Sequence, residues 1–130
     1  MNNISPQLQN QITQYQQFQQ QLQSVTAQRM QMESQLREMR HTSEQLAAAK
    51  GAVYRSSGGI MFEVTDKKAL ADELEEGIET LEIRIRGLEK QETSLKDRVE
   101  TLGDAINAAM GQPTAKKKKA KSDDEDEEED

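Results

Sequence analysis

The chain offers few residues that could make or break bonds. His41 is its one histidine and there is no cysteine. No nucleophile-base arrangement is available, so His41 reads as a solvated residue on a helix face. Gly58-Gly59 is not followed by the Lys-Ser/Thr of a phosphate cradle and reads as a turn. The carboxylate run from Asp123 to Asp130 could hold cations loosely. It lacks the glycine and the alternating ligands of a calcium loop. Lys116–Lys119 and Lys121 could touch nucleic acid, but the neighbouring acids compete for them. We therefore expect no enzyme, no cofactor and no metal site.

What remains is apolar patterning. At 130 residues there is room for one domain, and the 33% apolar content is well below that of ordinary globular chains. Aromatics make up 3% and tryptophan is absent, so the chain can bury a seam but not a thick core. The net charge is −7, yet residues 1–28 carry no charged side chain at all. Such an acidic body argues against wrapping nucleic acid. No apolar run is long enough to span a bilayer, and no basic stretch precedes an apolar one at the N-terminus. The expectation is a soluble, cytoplasmic protein without a signal peptide.

The elements that must position this apolar material are two helices and a hairpin. Val53–Ser56 and Ile60–Val64 are rich in β-branched and aromatic residues, and Ser57-Gly58-Gly59 lies between them as a turn. Ile60, Phe62 and Val64 share one strand face; Met61 and Glu63 share the other. A lone two-stranded hairpin is marginal in water and its free edges invite another chain. Ahead of it, Ser5-Pro6 reads as an N-cap and first helical residue. Leu8, Tyr15, Leu22 and Leu36, with Phe18, Val25, Met32, Met39 and Leu46, then recur at coiled-coil spacing. Met30, Met32 and Met39 read as filler of that seam. Gly51 is the expected C-terminal cap. Thr65 or Asp66 opens the second helix, where Leu74, Leu81, Leu88, Leu95 and Leu102 fall seven apart. Ala71, Ile78, Ile85, Val99 and Ile106 fill the alternate positions, with Glu92 as the exception. Gly77, Gly87 and Gly103 interrupt this helix off its apolar stripe and are expected to soften it.

The fold class is thus mainly α: a long antiparallel two-helix coiled coil joined by a β-hairpin. Residues 1–112 form this unit, with one helix over about 6–50, the hairpin over about 52–64 and the second helix over about 66–110. Residues 113–130 form a disordered tail, first Lys-rich and then acidic. In the expected register each residue faces the one equally far from the Gly58–Gly59 bond. Leu36 then meets Leu81, Met39 meets Ile78, Met32 meets Ile85, and Phe18 meets Val99. Arg29 and Glu92 fall in neighbouring layers and are expected to meet across the seam, fixing register more than adding stability.

At the end away from the hairpin, Ile4, Leu8, Ile12, Ile106, Ala109 and Met110 collect. Either they form a terminal layer that holds the helix ends together, or they form an exposed adhesive end.

Several runs together carry a resemblance. They are Val53-Tyr54-Arg55-Ser56-Ser57-Gly58 at the hairpin, and then Ala69, Glu73-Leu74, Ile78-Glu79-Thr80-Leu81-Glu82, Arg84, Leu88 and Gln91-Glu92. Pro6-Gln7, Tyr15–Gln17 and Gln20-Gln21-Leu22-Gln23 agree as well. Over roughly residues 5–110 the chain resembles the prefoldin family, and within it the beta class of the archaeal type. The resemblance implies an ATP-independent chaperone subunit in a hetero-hexamer of two alpha and four beta subunits. It implies hairpins joined into an intersubunit β-barrel, with Val53, Tyr54, Ile60, Phe62 and Val64 buried between chains. It also implies that Ile4, Leu8, Ile12, Ile106, Ala109 and Met110 grip unfolded polypeptide for delivery to a group II chaperonin. The competing expectation is a structural coiled-coil adaptor that binds one specific partner.

Overall fold

A computed structural model describes residues 4–111. The Lys-rich and acidic tail, expected to be disordered, lies outside the described residues. The element order is α1 (Pro6–Ala48), β1 (Tyr54–Ser57), β2 (Ile60–Glu63) and α2 (Lys67–Ala109).

Local chemistry sets the ends. The Leu8 amide donates to Ser5 Oγ at 3.1 Å, and Pro6 occupies the first helical position, where an amide proton would have no partner. Asp66 rather than Thr65 caps α2: its Oδ1 accepts from the Ala69 amide at 3.0 Å. The end of α1 differs from expectation. The helix stops at Ala48 and tightens through Ala49 N–H to Leu46 C=O at 3.2 Å. Left-handed φ occurs at Gly58, Gly59 and Gly111, not at Gly51, so Gly51 is not the cap. Its carbonyl instead accepts from Lys67 Nζ at 2.6 Å, which ties the chain entering the hairpin to the first residue of α2.

β1 and β2 pair antiparallel, with Tyr54 opposite Glu63, Arg55 opposite Phe62, Ser56 opposite Met61 and Ser57 opposite Ile60. Val64 N–H donates to Val53 C=O at 2.7 Å and adds a rung at the open end. Ser57 therefore belongs to the strand, and the turn is Gly58-Gly59 alone. Their φ values of 57° and 83° are the type I′ combination, which matches the twist of the flanking strands. Only glycine adopts two successive positive φ values without steric penalty.

The chain divides into two compact units. The first spans Ala27–Glu89 and contains the hairpin. Its core is Leu36, Ile78, Leu81 and Ile85, each 7–9% exposed, with Met32 and Met39 packed against it. The expected facing pairs Leu36–Leu81, Met39–Ile78 and Met32–Ile85 lie in that one cluster. Met30, expected in the seam, is 58% exposed. It falls one residue past the apolar stripe, and a 100° step per residue turns it outward. The second unit joins the described residues up to Thr26 with those from Lys90 onward. Its order of contacts is antiparallel: Tyr15 lies against Gly103, Phe18 under Arg98, and Thr26 against Glu92.

The glycines of α2 differ from expectation in two places. A Cβ on Gly77 would lie 2.4 Å from Met39 Cε, and one on Gly103 would lie 3.3 Å from Tyr15 Cε1. Both positions face the opposite helix and make room for a large side chain there. Gly87 faces nothing within 4 Å.

Candidate functional site

The hairpin carries the most exposed apolar surface. Tyr54, Ile60, Met61 and Phe62 are each more than half exposed, while Val53 and Val64 are half-buried. Partners in an antiparallel ladder point to the same side of the sheet. Tyr54, Ser56, Met61 and Glu63 therefore share one face, and Arg55, Ser57, Ile60 and Phe62 share the other. Tyr54 stands apart from Ile60 and Phe62, and its apolar neighbour is Met61, which sequence reasoning left out. The available signal was the alternation itself, since Met61 is the one apolar residue of β2 on that side. Both faces of the ribbon and both its edges are uncovered, so a single partner on one face leaves apolar surface exposed on the other.

Where the hairpin meets the helices, Leu46, Val53, Tyr54, Leu70 and Leu74 line an open groove of about 560 Å³. Arg55 reaches from β1 to Glu73 of α2 at 3.4 Å. Both side chains are more than half exposed, so this pair orients the strand more than it stabilises it.

At the other candidate surface, Ile4, Leu8, Ile12 and Ile106 are half-buried. Ile12 and Ile106 line one groove together with Tyr15 and Gly103. Ala109 is exposed and Met110 is 52% exposed at the end of α2. Gly111, with φ 79°, then turns the chain out of the helix.

Of the two charged seam residues, Arg29 is bonded to Glu33 at 3.1 Å, one turn along α1. Glu92 is 6% exposed and accepts a hydrogen bond from Thr26 Oγ1. Thr26 was missed in the sequence because it adjoins Val25 and looks like ordinary stripe edge. His41 is exposed on α1. Among the described residues no group of three His, Cys, Asp or Glu side chains is placed to hold a metal. None of their helices is long and apolar enough to cross a membrane.

Residues 9–113 match the family model described as "Prefoldin subunit". The prefoldin subunit beta of Thermoplasma volcanium is 40% identical over 116 residues, covering 88% of this chain and 94% of that protein. The prefoldin subunit beta of Pyrococcus abyssi is 38% identical over 117 residues, covering 88% of this chain and 99% of its own length. The crystal structure of the prefoldin beta subunit from Thermococcus strain KS-1 superposes with a TM-score of 0.75 at 34% identity, covering 87% of this chain and all of that one. Two long helices, an I′ hairpin bare on both faces, and these matches over nearly the whole described length show that the chain belongs to the prefoldin family.

Proposed function

We propose that this chain is the beta-type subunit of an ATP-independent cytoplasmic chaperone built from two alpha-type and four beta-type subunits. The observation that carries the reading is the exposed apolar surface of the hairpin, at Tyr54, Ile60, Met61 and Phe62. Surface of that kind on a two-stranded ribbon needs other chains to cover it. Burying it in an intersubunit β-barrel would do so. Ile4, Leu8, Ile12, Ile106, Ala109 and Met110 then grip unfolded polypeptide, which passes to a group II chaperonin. Contacts of this kind are weak singly and useful in number, because several tips on one platform raise the effective concentration for each other. Methionine and isoleucine suit clients without a fixed shape.

The test is suppression of aggregation of unrelated denatured proteins, without ATP, by the chain co-expressed with an alpha-type subunit. Deleting residues 1–12 and 105–130 should abolish protection while the mass of the complex stays that of an intact oligomer. Full protection by the truncated complex would overturn the role of the tips. Protection confined to one partner protein would favour the adaptor reading instead.

A further inference from the structure

The unit formed by residues up to Thr26 and from Lys90 onward carries two open grooves apart from the proposed tip residues. One, of about 390 Å³, has an apolar lining of Val25 and Leu95, with Gln21 and Gln91 among its polar groups. The other, of about 260 Å³, has Phe18 and Leu102, with Gln14 and Thr101. Arg98 lines both, so the two grooves adjoin. Its guanidinium carbon lies 5.4 Å from the centre of the Phe18 ring. A guanidinium held over a ring face is fixed in orientation and still presents its N–H groups in its own plane. The only charged side chains in the two linings are Asp97 and Arg98, of opposite sign. The grooves therefore select little by charge, and the glutamine amides can both donate and accept.

The grooves repeat by one heptad. Phe18 and Val25 are seven residues apart on α1, and Leu95 and Leu102 are seven apart on α2. At ~1.5 Å per residue the step is ~10 Å. A polyproline-II chain brings a side chain back to the same face every third residue, ~9 Å on. A β-strand does so every second residue, ~7 Å on. Polyproline II is also a major conformer of unfolded chains, and its backbone groups have no internal hydrogen bonds.

We propose that the paired grooves hold a polyproline-II stretch of unfolded polypeptide. Apolar side chains three residues apart enter the grooves on either side of Arg98, and backbone carbonyls accept from its guanidinium and from the glutamine amides. The inference rests on the client-binding reading above and carries the client surface from the tips along residues 14–25 and 91–102.

The test uses the chain co-expressed with an alpha-type subunit and two dye-labelled, end-capped peptides of one composition in leucine and serine. One peptide has its leucines three residues apart, the other two apart. Fluorescence anisotropy should show severalfold tighter binding of the first. Arg98→Ala should erase that preference while the mass and the helical signal of the complex stay unchanged. The chain has no cysteine, so benzophenone can be placed at single sites. On Ser24→Cys or Thr101→Cys it should cross-link the bound peptide. On Lys96→Cys, exposed and lining neither groove, it should not. Equal affinity for the two peptides, a preference that survives Arg98→Ala, or equal cross-linking from Lys96→Cys would overturn the proposal. Suppression of aggregation by the same complex separates this inference from the reading it rests on. Protection without the expected peptide results overturns the grooves alone, whereas loss of both overturns the chaperone role as well.

Discussion

The two compact units are built from the same two helices yet hold themselves together differently. The unit spanning Ala27–Glu89 has four buried apolar side chains in one cluster, with two methionines filling around them. Its surface is laced with ion pairs: Arg29–Glu33, Arg40–Glu82, Arg55–Glu73 and Lys68–Asp72. Among its described residues, the unit formed by residues up to Thr26 and from Lys90 onward has one buried apolar side chain, Leu95, beside the buried Glu92. Its share of α1 carries no charge, and glutamine covers its outer faces. Stability is therefore concentrated near the hairpin, where assembly is proposed. The unit holding the proposed client-binding ends has the thinner core, and regions of low local stability are the ones that adapt to ligands.

The largest expected effect strikes the hairpin. Phe62→Asp removes the aromatic ring from the face it shares with Arg55, Ser57 and Ile60, and should reduce the complex to single chains in light scattering while far-UV circular dichroism keeps its helical signal. Retention of the oligomer would separate the exposed apolar face from assembly. Next, Leu36→Ala opens a cavity in the tight cluster and should cost about 2–5 kcal/mol, read from thermal or urea unfolding. Leu22→Ala, half-buried in the other unit, should cost clearly less. Equal losses would erase the distinction between the units. The smallest effect is a gain. Gly87→Ala meets open space and should stabilise by about 0.5–1 kcal/mol through helix propensity. Gly77→Ala must displace Met39 Cε from the core and should gain less. An equal gain would mean that Met39 moves freely and that the cluster is looser than its burial indicates.

Most of the fold was legible because its determinants are local. Ser5-Pro6 and Asp66 start helices through their own side chains and ring. Gly58-Gly59 makes its turn because glycine takes both positive φ values without steric cost. The mirror register about that turn follows from two helices and two strands leaving it in step, and it placed Met32, Met39, Leu36, Leu81, Ile78 and Ile85 together. The surfaces were less legible. That Tyr54 and Ile60 lie on opposite faces follows from the same mirror register, which pairs Tyr54 with Glu63 and Ser57 with Ile60. A shift of one residue reverses every side chain in a strand.

By itself, then, the sequence determined the order of elements, the helix starts to within a residue, the place of the turn and the seam, since periodicity and φ preference act over a few residues. Only the tertiary structure decided that Gly77 and Gly103 make room for Met39 and Tyr15, that Met30 turns outward, and that Thr26 holds Glu92. Each of these depends on the rotation of one helix against another. A few degrees there change which side chain meets which, while the hydrophobic pattern stays the same.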